Sequence, residues 1–238
     1  MSETLVLLHG FSGTRRAWDG VLARLPAERY RAVALDLPGH GERSGDPWPI
    51  SFEDCVAAVL EQAPARFALC GYSLGGRVAL HVALAAPERV ARLVLIAANP
   101  GIENPGERAA RLAVDERVAQ GLEGEPFEDW IEGWRTQPLF AADPPEVGEL
   151  ARADQCRNEP LALAAAMRGL SVGAMAPLWG RLGELEMPVT FVAGARDEKF
   201  RAIGERFERE CPGSELVVVE GGHGLPLENP GAVAAVIQ

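Results

Sequence analysis

The chain has 238 residues, 47% of them hydrophobic and 24% charged, with a formal net charge of -11 at pH 7. That length suits one sizeable core carrying an insertion rather than two full domains and a linker. An acidic balance with no basic run excludes a phosphate-backbone reader, and no apolar run nears the ~20 residues that span a bilayer, so neither nucleic acid nor membrane is an expected partner.

From Thr4 onward, short Val/Leu-rich runs alternate with amphipathic stretches. "TLVLLHG" predicts a strand, "RRAWDGVLARL" a helix, "YRAVALDLPGHG" a second strand and its loop, and "SFEDCVAAVLEQA" a helix. "FALCGYS" and "ARLVLIAAN" predict two more strands, separated by the helix "LGGRVALHVALAA". From Pro100 to about Pro177 the rhythm becomes helical throughout, in "ERAARLAVDERVAQGL", "FEDWIEGWRTQPLF", "EVGELARADQC" and "LALAAAMRGL". Strands resume at "PVTFVAGA" and "ELVVVEGG", and "GAVAAVIQ" predicts a short last helix. Continuous apolar runs suit parallel strands covered on both faces. The expected fold class is therefore α/β: a mostly parallel sheet of six strands with helices on both faces. Residues 1–99 and 178–238 would form the core, with 100–177 a helical cap over the carboxyl ends of the strands, where open α/β sheets bind ligands. The N-terminus enters an apolar run without a basic region before it, so no export signal is expected and the cytoplasm is the expected location.

Cys55, Cys70, Cys156 and Cys211 are widely spaced and predict buried free thiols. With no metal-ligand spacing and no dinucleotide glycine motif, no metal and no cofactor are expected.

Chemistry concentrates in "GYSLGG". A G-x-S-x-G string between a strand and a helix places the serine, here Ser73, on a sharp turn with Oγ above the sheet and the helix N-terminus aimed at charge forming beside it. Its base should be a histidine. His81 lies eight residues along the following helix, about 12 Å away at 1.5 Å per residue, and does not reach. His9 and His40 sit in glycine-rich loops, where His9 orders its loop, and Asp36 and His40 shape a turn. His223, in "VVVEGGHG" after the last strand, is the expected base, and Asp197, in "VAGARDEKF" after the preceding strand, the expected acid, in the chain order Ser, Asp, His. Taken singly, Asp197 reads equally well as a helix N-cap and His223 as a turn residue. The expected oxyanion donors are the N–H of Leu74, which follows the serine, and that of Phe11 in "LHGFSG". Arg77, one turn beyond Ser73, faces the same side and suits a carboxylate ligand; its other reading is an ion pair with an acidic cap residue.

These motifs resemble the α/β-hydrolase superfamily. The fuller set "LHGFSGTRRAW", "DLPGHG", "GYSLGGRVAL", "NPGIENPGERAAR", "WRTQPLF", "RDEKF" and "GGH" resembles the MenH family, the 2-succinyl-6-hydroxy-2,4-cyclohexadiene-1-carboxylate synthases of menaquinone biosynthesis. The resemblance implies a lyase in which Ser73, made basic by His223 and Asp197, removes a proton from a small anionic cyclohexene carboxylate and pyruvate is expelled. It implies that Arg111 and Arg157 on the cap bind carboxylate, with Arg152 close to the second position, and that Trp134 walls the site, although a Trp at helical spacing also suits cap core. A carboxylesterase or carbon-carbon bond hydrolase would use the same triad, and a silent binding module on this fold is the alternative outside enzymes.

Overall fold

The computed structural model describes residues 2–140 and 143–238. Six strands, β1 (Glu3–Leu8), β2 (Tyr30–Leu35), β3 (Phe67–Tyr72), β4 (Val90–Ile96), β5 (Val189–Gly194) and β6 (Ser214–Val219), form one sheet in the order β2-β1-β3-β4-β5-β6. Every pairing is parallel. The chain winds outward from β1 to β2, then returns to place β3 on the other side of β1. At that reversal the loops after β1 and β3 part and leave a crevice at the strands' carboxyl ends.

The helices are α1 (Asp19–Leu22), α2 (Phe52–Gln62), α3 (Leu74–Ala85), α4 (Pro105–Gly124), α5 (Phe127–Arg135), α6 (Pro145–Gln155), α7 (Pro160–Gly169), α8 (Glu198–Glu210), α9 (Leu225–Glu228) and α10 (Pro230–Ile237). Successive strand residues point to opposite faces, so each buried strand feeds two cores. Val6, Leu8, Leu69, Leu93 and Phe191 pack with α2, α3 and α8, through residues such as Val59, Val78 and Phe207. Leu5, Leu7, Ala68, Val94 and Val192 pack instead with Trp18, Val21 and Val233, on the side of α1 and α10. This two-sided burial is why the central strands carry no polar alternation. The edge strand β6 is only partly buried, with Glu215 and Val218 exposed.

Local chemistry sets several boundaries. Ser51 and Asp54 form a reciprocal capping box at the start of α2, satisfying two otherwise orphaned amides. Asn104 caps α4, and Pro105 occupies its first position, where a missing N–H costs nothing. The helix expected over "RRAWDGVLARL" is instead a 3-10 turn, Arg15–Trp18, capped by Thr14, followed by the single turn α1. Pro26 bars its continuation, and Trp18 and Val21 are already fully buried by so short a segment.

Between β4 and β5 the chain forms α4 to α7. Of these, α4, α5 and α7 pack on one another through Ala119, Leu122, Trp130, Ile131, Leu163, Ala164 and Met167, a core separate from those of the sheet. A 3-10 segment, Trp179–Glu184, returns the chain to β5. Cys55, Cys70 and Cys211 are buried, but Cys156 is exposed, contrary to expectation, because it lies just past the end of α6 where the chain turns along the surface. Among the described residues no helix is long and apolar enough to cross a membrane.

Candidate active site

The elbow after β3 is built by steric necessity. Ser73 has φ 51° and ψ -107°, a conformation an L residue holds only when its surroundings enforce it. Those surroundings leave no room for side chains. A Cβ on Gly71 would lie 2.3 Å from the Gly75 carbonyl oxygen, one on Gly75 would lie 2.3 Å from that of Leu8, and one on Gly76 would lie 2.6 Å from Ala98 Cβ. The glycines let α3 start directly against the end of β1, and Ser73 N donates to Ile96 O at 2.8 Å. Leu74 is the first residue of α3, so its N–H has no helical partner.

Ser73, Asp197 and His223 converge although 150 residues separate the first from the last. Asp197 accepts only, so His223 Nδ1 carries the proton and donates to Asp197 Oδ2 at 2.9 Å. Nε2 is then free to accept from Ser73 Oγ, 3.3 Å away. Asp197 also fulfils its other reading, since Oδ1 accepts the Phe200 N–H at 3.1 Å and caps α8. Its two oxygens thus divide the tasks. Asp197 and His223 are buried, and the His223 ring rests against Phe200, Tyr72 and Phe140.

The loop after β1 lies against the elbow. A Cβ on Gly10 would come within 3.5 Å of Ser73 Cβ. His9 orders this loop: Leu37 N donates to Nε2 at 3.0 Å, and Nδ1 donates to Gly10 O at 2.8 Å. Complete burial pushes the His9 imidazole down to about 4, so both bonds keep the neutral tautomer. His40, edge-on to His9, is pushed to about 3 by burial and then by its neighbour. His81 stacks on Phe52, away from the serine.

Beside these groups opens a cleft of about 610 Å³, lined by Phe11, Ser73, Arg77 and Lys199 together with Arg111 of α4, Trp134 of α5 and Met167 of α7. Arg77 Nη1 donates to Leu170 O at 2.6 Å, leaving the rest of the guanidinium toward the cleft. Burial, then the nearby Arg111, lowers its pKa to about 10, so it stays charged at neutral pH. Arg111 Nε donates to Asp115 Oδ1 at 2.8 Å, and Asp115 Oδ2 accepts from Ser171 Oγ at 2.6 Å. A buried carboxylate thus holds Arg111 by its stem side and leaves its two Nη groups available. Trp134 is both wall and cap core: it lines the cleft, stacks on Trp130 at 5.3 Å and meets Phe11 edge-on.

Arg157 is not brought to the site. Its side chain is 57% exposed, beside Asp154 at 3.9 Å, in a surface hollow with Arg15, Arg16 and Glu42. The turn that ends α6 directs Arg157 outward and the next side chain, Asn158, inward. Arg152 is also outside, paired with Glu128. Lys199 takes a place that the sequence did not assign. It stands two residues past Asp197 in the first turn of α8, Nζ lies over the Phe200 ring, and its pKa is lowered by burial and then by Arg111. Its sequence signals are that spacing from Asp197 and its place in the "RDEKF" motif. Asp143 also lines the cleft, bound by Arg135 at 3.2 Å and raised by burial.

The α/β hydrolase family profile matches residues 5–236. A 2-succinyl-6-hydroxy-2,4-cyclohexadiene-1-carboxylate synthase from Enterobacter sp. (strain 638) is 34% identical over 237 residues, spanning 98% of this chain and 89% of that protein. Among solved structures, MenH from S. aureus superposes with a TM-score of 0.92 at 29% identity, covering 99% and 91% of the two chains. A thermophilic esterase from Thermogutta terrifontis superposes at 0.83 with 25% identity, covering 100% and 88%. An elbow serine in a cleft lined by Arg77, Arg111 and Lys199 is thus accompanied by near full-length kinship, and the chain belongs to the α/β hydrolase family and, within it, to the 2-succinyl-6-hydroxy-2,4-cyclohexadiene-1-carboxylate synthases of menaquinone biosynthesis.

Proposed function

We propose that this enzyme is a lyase that eliminates pyruvate from 2-succinyl-5-enolpyruvyl-6-hydroxy-3-cyclohexene-1-carboxylate. The ring double bond moves from C3=C4 in the substrate to C2=C3 and C4=C5 in the product. The proton must therefore leave from C2 and the enolpyruvyl oxygen from C5. C2 is adjacent to the succinyl ketone, so the charge released there spreads onto a carbonyl oxygen. Ser73 Oγ takes the C2 proton as its own passes to His223 Nε2, and Asp197 holds the imidazolium in place. The C2–H pair becomes C2=C3, the former double bond becomes C4=C5, and the C5–O bond breaks. Pyruvate departs as its enolate and is protonated by His223. The Leu74 and Phe11 amides would hold the ketone oxygen while it is negative, a contribution of about 3 kcal/mol for a well-placed donor.

The observation that carries this reading is the gathering of Arg77, Arg111 and Lys199 around one cleft with Ser73 and His223. The substrate bears three carboxylates, and guanidinium binds such groups through paired hydrogen bonds. Residues 100–177 serve in this reading as the substrate cap, with Trp134 packing on the ring. Ester hydrolysis is the second reading, since the Ser73–His223–Asp197 line would equally serve acyl transfer and an esterase shares the fold. Pyruvate release from the enolpyruvyl substrate, measured beside hydrolysis of a nitrophenyl ester, tests the choice. Fast pyruvate release that falls at least about a thousandfold in Ser73→Ala is expected. Rapid ester turnover without pyruvate would refute the elimination.

A further inference from the structure

Three buried side chains at the end of α6 cross from the cap into the loop that follows β1. Asp154 accepts from Thr14 N at 2.8 Å and Thr14 Oγ1 at 2.5 Å. Gln155 Nε2 donates to Ser12 Oγ at 2.9 Å. Asn158 Nδ2 donates to Ser12 O at 2.8 Å, and its Oδ1 accepts from Gly41 N at 2.9 Å. None of the three is more than 6% exposed, so each bond replaces water that a buried polar group would otherwise need.

Two of the residues they grip, Ser12 and Thr14, follow Phe11 in its loop. Ser12 is held at φ 60°, in the left-handed region that a residue with a Cβ disfavours. Such a conformation persists when neighbours over-determine it, and here those neighbours belong to the cap. Below, the same loop is fixed by His9 to the core. The loop is therefore clamped from two bodies, one of which is the cap.

We propose that Gln155 and Asn158 are positioning residues that couple seating of the cap to formation of the oxyanion hole, by holding Ser12 strained so that the Phe11 N–H points over Ser73. With α6 seated, the amide is aimed; with the clamp cut, Ser12 relaxes and the amide turns away while the cationic groups of the cleft stay in place. This rests on Phe11 as an oxyanion donor, as in the function proposed above.

Asn158→Asp keeps shape and the Gly41 bond but loses the donor to Ser12. Gln155→Met is a milder variant of similar length that leaves Asn158 untouched. For each, pyruvate-release kinetics are measured together with the affinity of an arylboronic acid. Ser73 Oγ adds to boron, its proton passing to His223, and one boronate oxygen takes the oxyanion position. The expected result is a fall in kcat of about tenfold or more with KM changed less than about twofold, and a parallel loss of boronate affinity, as for removal of an oxyanion donor. A rise in KM with kcat intact would reduce the contacts to cap docking and overturn the proposal, as would no effect of Gln155→Met in a folded protein if Asn158→Asp does not fold. A wild-type protein that binds boronate but releases no pyruvate refutes the elimination alone, and the variants' boronate affinities still decide the clamp. A wild-type protein that binds no boronate refutes both.

Discussion

Replacing Asp197 by asparagine separates the two tasks that its oxygens divide. Asparagine keeps Oδ1 as acceptor for the Phe200 N–H, 3.1 Å away in the native protein, and serves as well as aspartate at an N-cap. At the other position it presents an NH2 group to His223 Nδ1, 2.9 Å from the native oxygen. Two donors cannot face each other, so the ring adopts the tautomer with its proton on Nε2, which then cannot take the proton of Ser73. The expected loss is about ten-thousandfold in kcat, equivalent to about 5.5 kcal/mol of transition-state stabilisation. Thermal stability should change by less than about 2 °C, whereas Asp197→Ala should lose both the activity and the cap, costing about 1 kcal/mol and roughly 2 to 4 °C. Pyruvate release coupled to NADH oxidation by lactate dehydrogenase reads the first quantity, and thermal denaturation followed by circular dichroism the second. An Asp197→Asn enzyme retaining more than about a tenth of wild-type kcat would refute the role given to that carboxylate.

Lys199→Gln should raise KM for the tricarboxylate substrate about tenfold and leave turnover of a neutral ester nearly unchanged, as expected for loss of a charged hydrogen bond; equal losses on both would remove Lys199 from binding. Gly75→Ala should prevent folding or lower the melting temperature by more than about 6 °C, because its Cβ meets backbone at 2.3 Å, while Gly133→Ala, with nothing within 4 Å inside α5, should stabilise slightly in the same measurement. Stability against urea should fall on acidification. His9 and His40 stay neutral when folded, to about 4 and 3, but bind protons below about 6.5 when unfolded, so their contribution is complete above that pH and is lost as pH falls toward 4. At pH 5 the two together should cost about 4 kcal/mol, and a flat profile between pH 7 and 5 would contradict their buried neutral state.

The strands and the elbow were legible because they depend on patterns within a few residues. Val/Leu runs mark strands buried on both faces, and three glycines around Ser73 mark a turn with no space for Cβ atoms. Asp197 and His223 could be paired with Ser73 because consecutive parallel strands deliver their following loops to one edge. The short α1 was less legible, since its apolar spacing continues past the point where Pro26 and the burial of Trp18 end the helix. Arg157 was assigned to the cleft by resemblance of sequence, and the turn after α6 places it on the outer surface.

What the sequence determined alone was the α/β class, the six strands and the three side chains of the elbow line, all set by local periodicity, steric demand and chain order. Only the tertiary structure decided that Lys199 joins Arg77 and Arg111, that Asp115 steadies Arg111 from behind, and that Asn158 rather than Arg157 turns inward to the loop after β1. Those outcomes depend on the direction of a side chain at a helix end and on the docking of segments more than a hundred residues apart, and no local pattern encodes either.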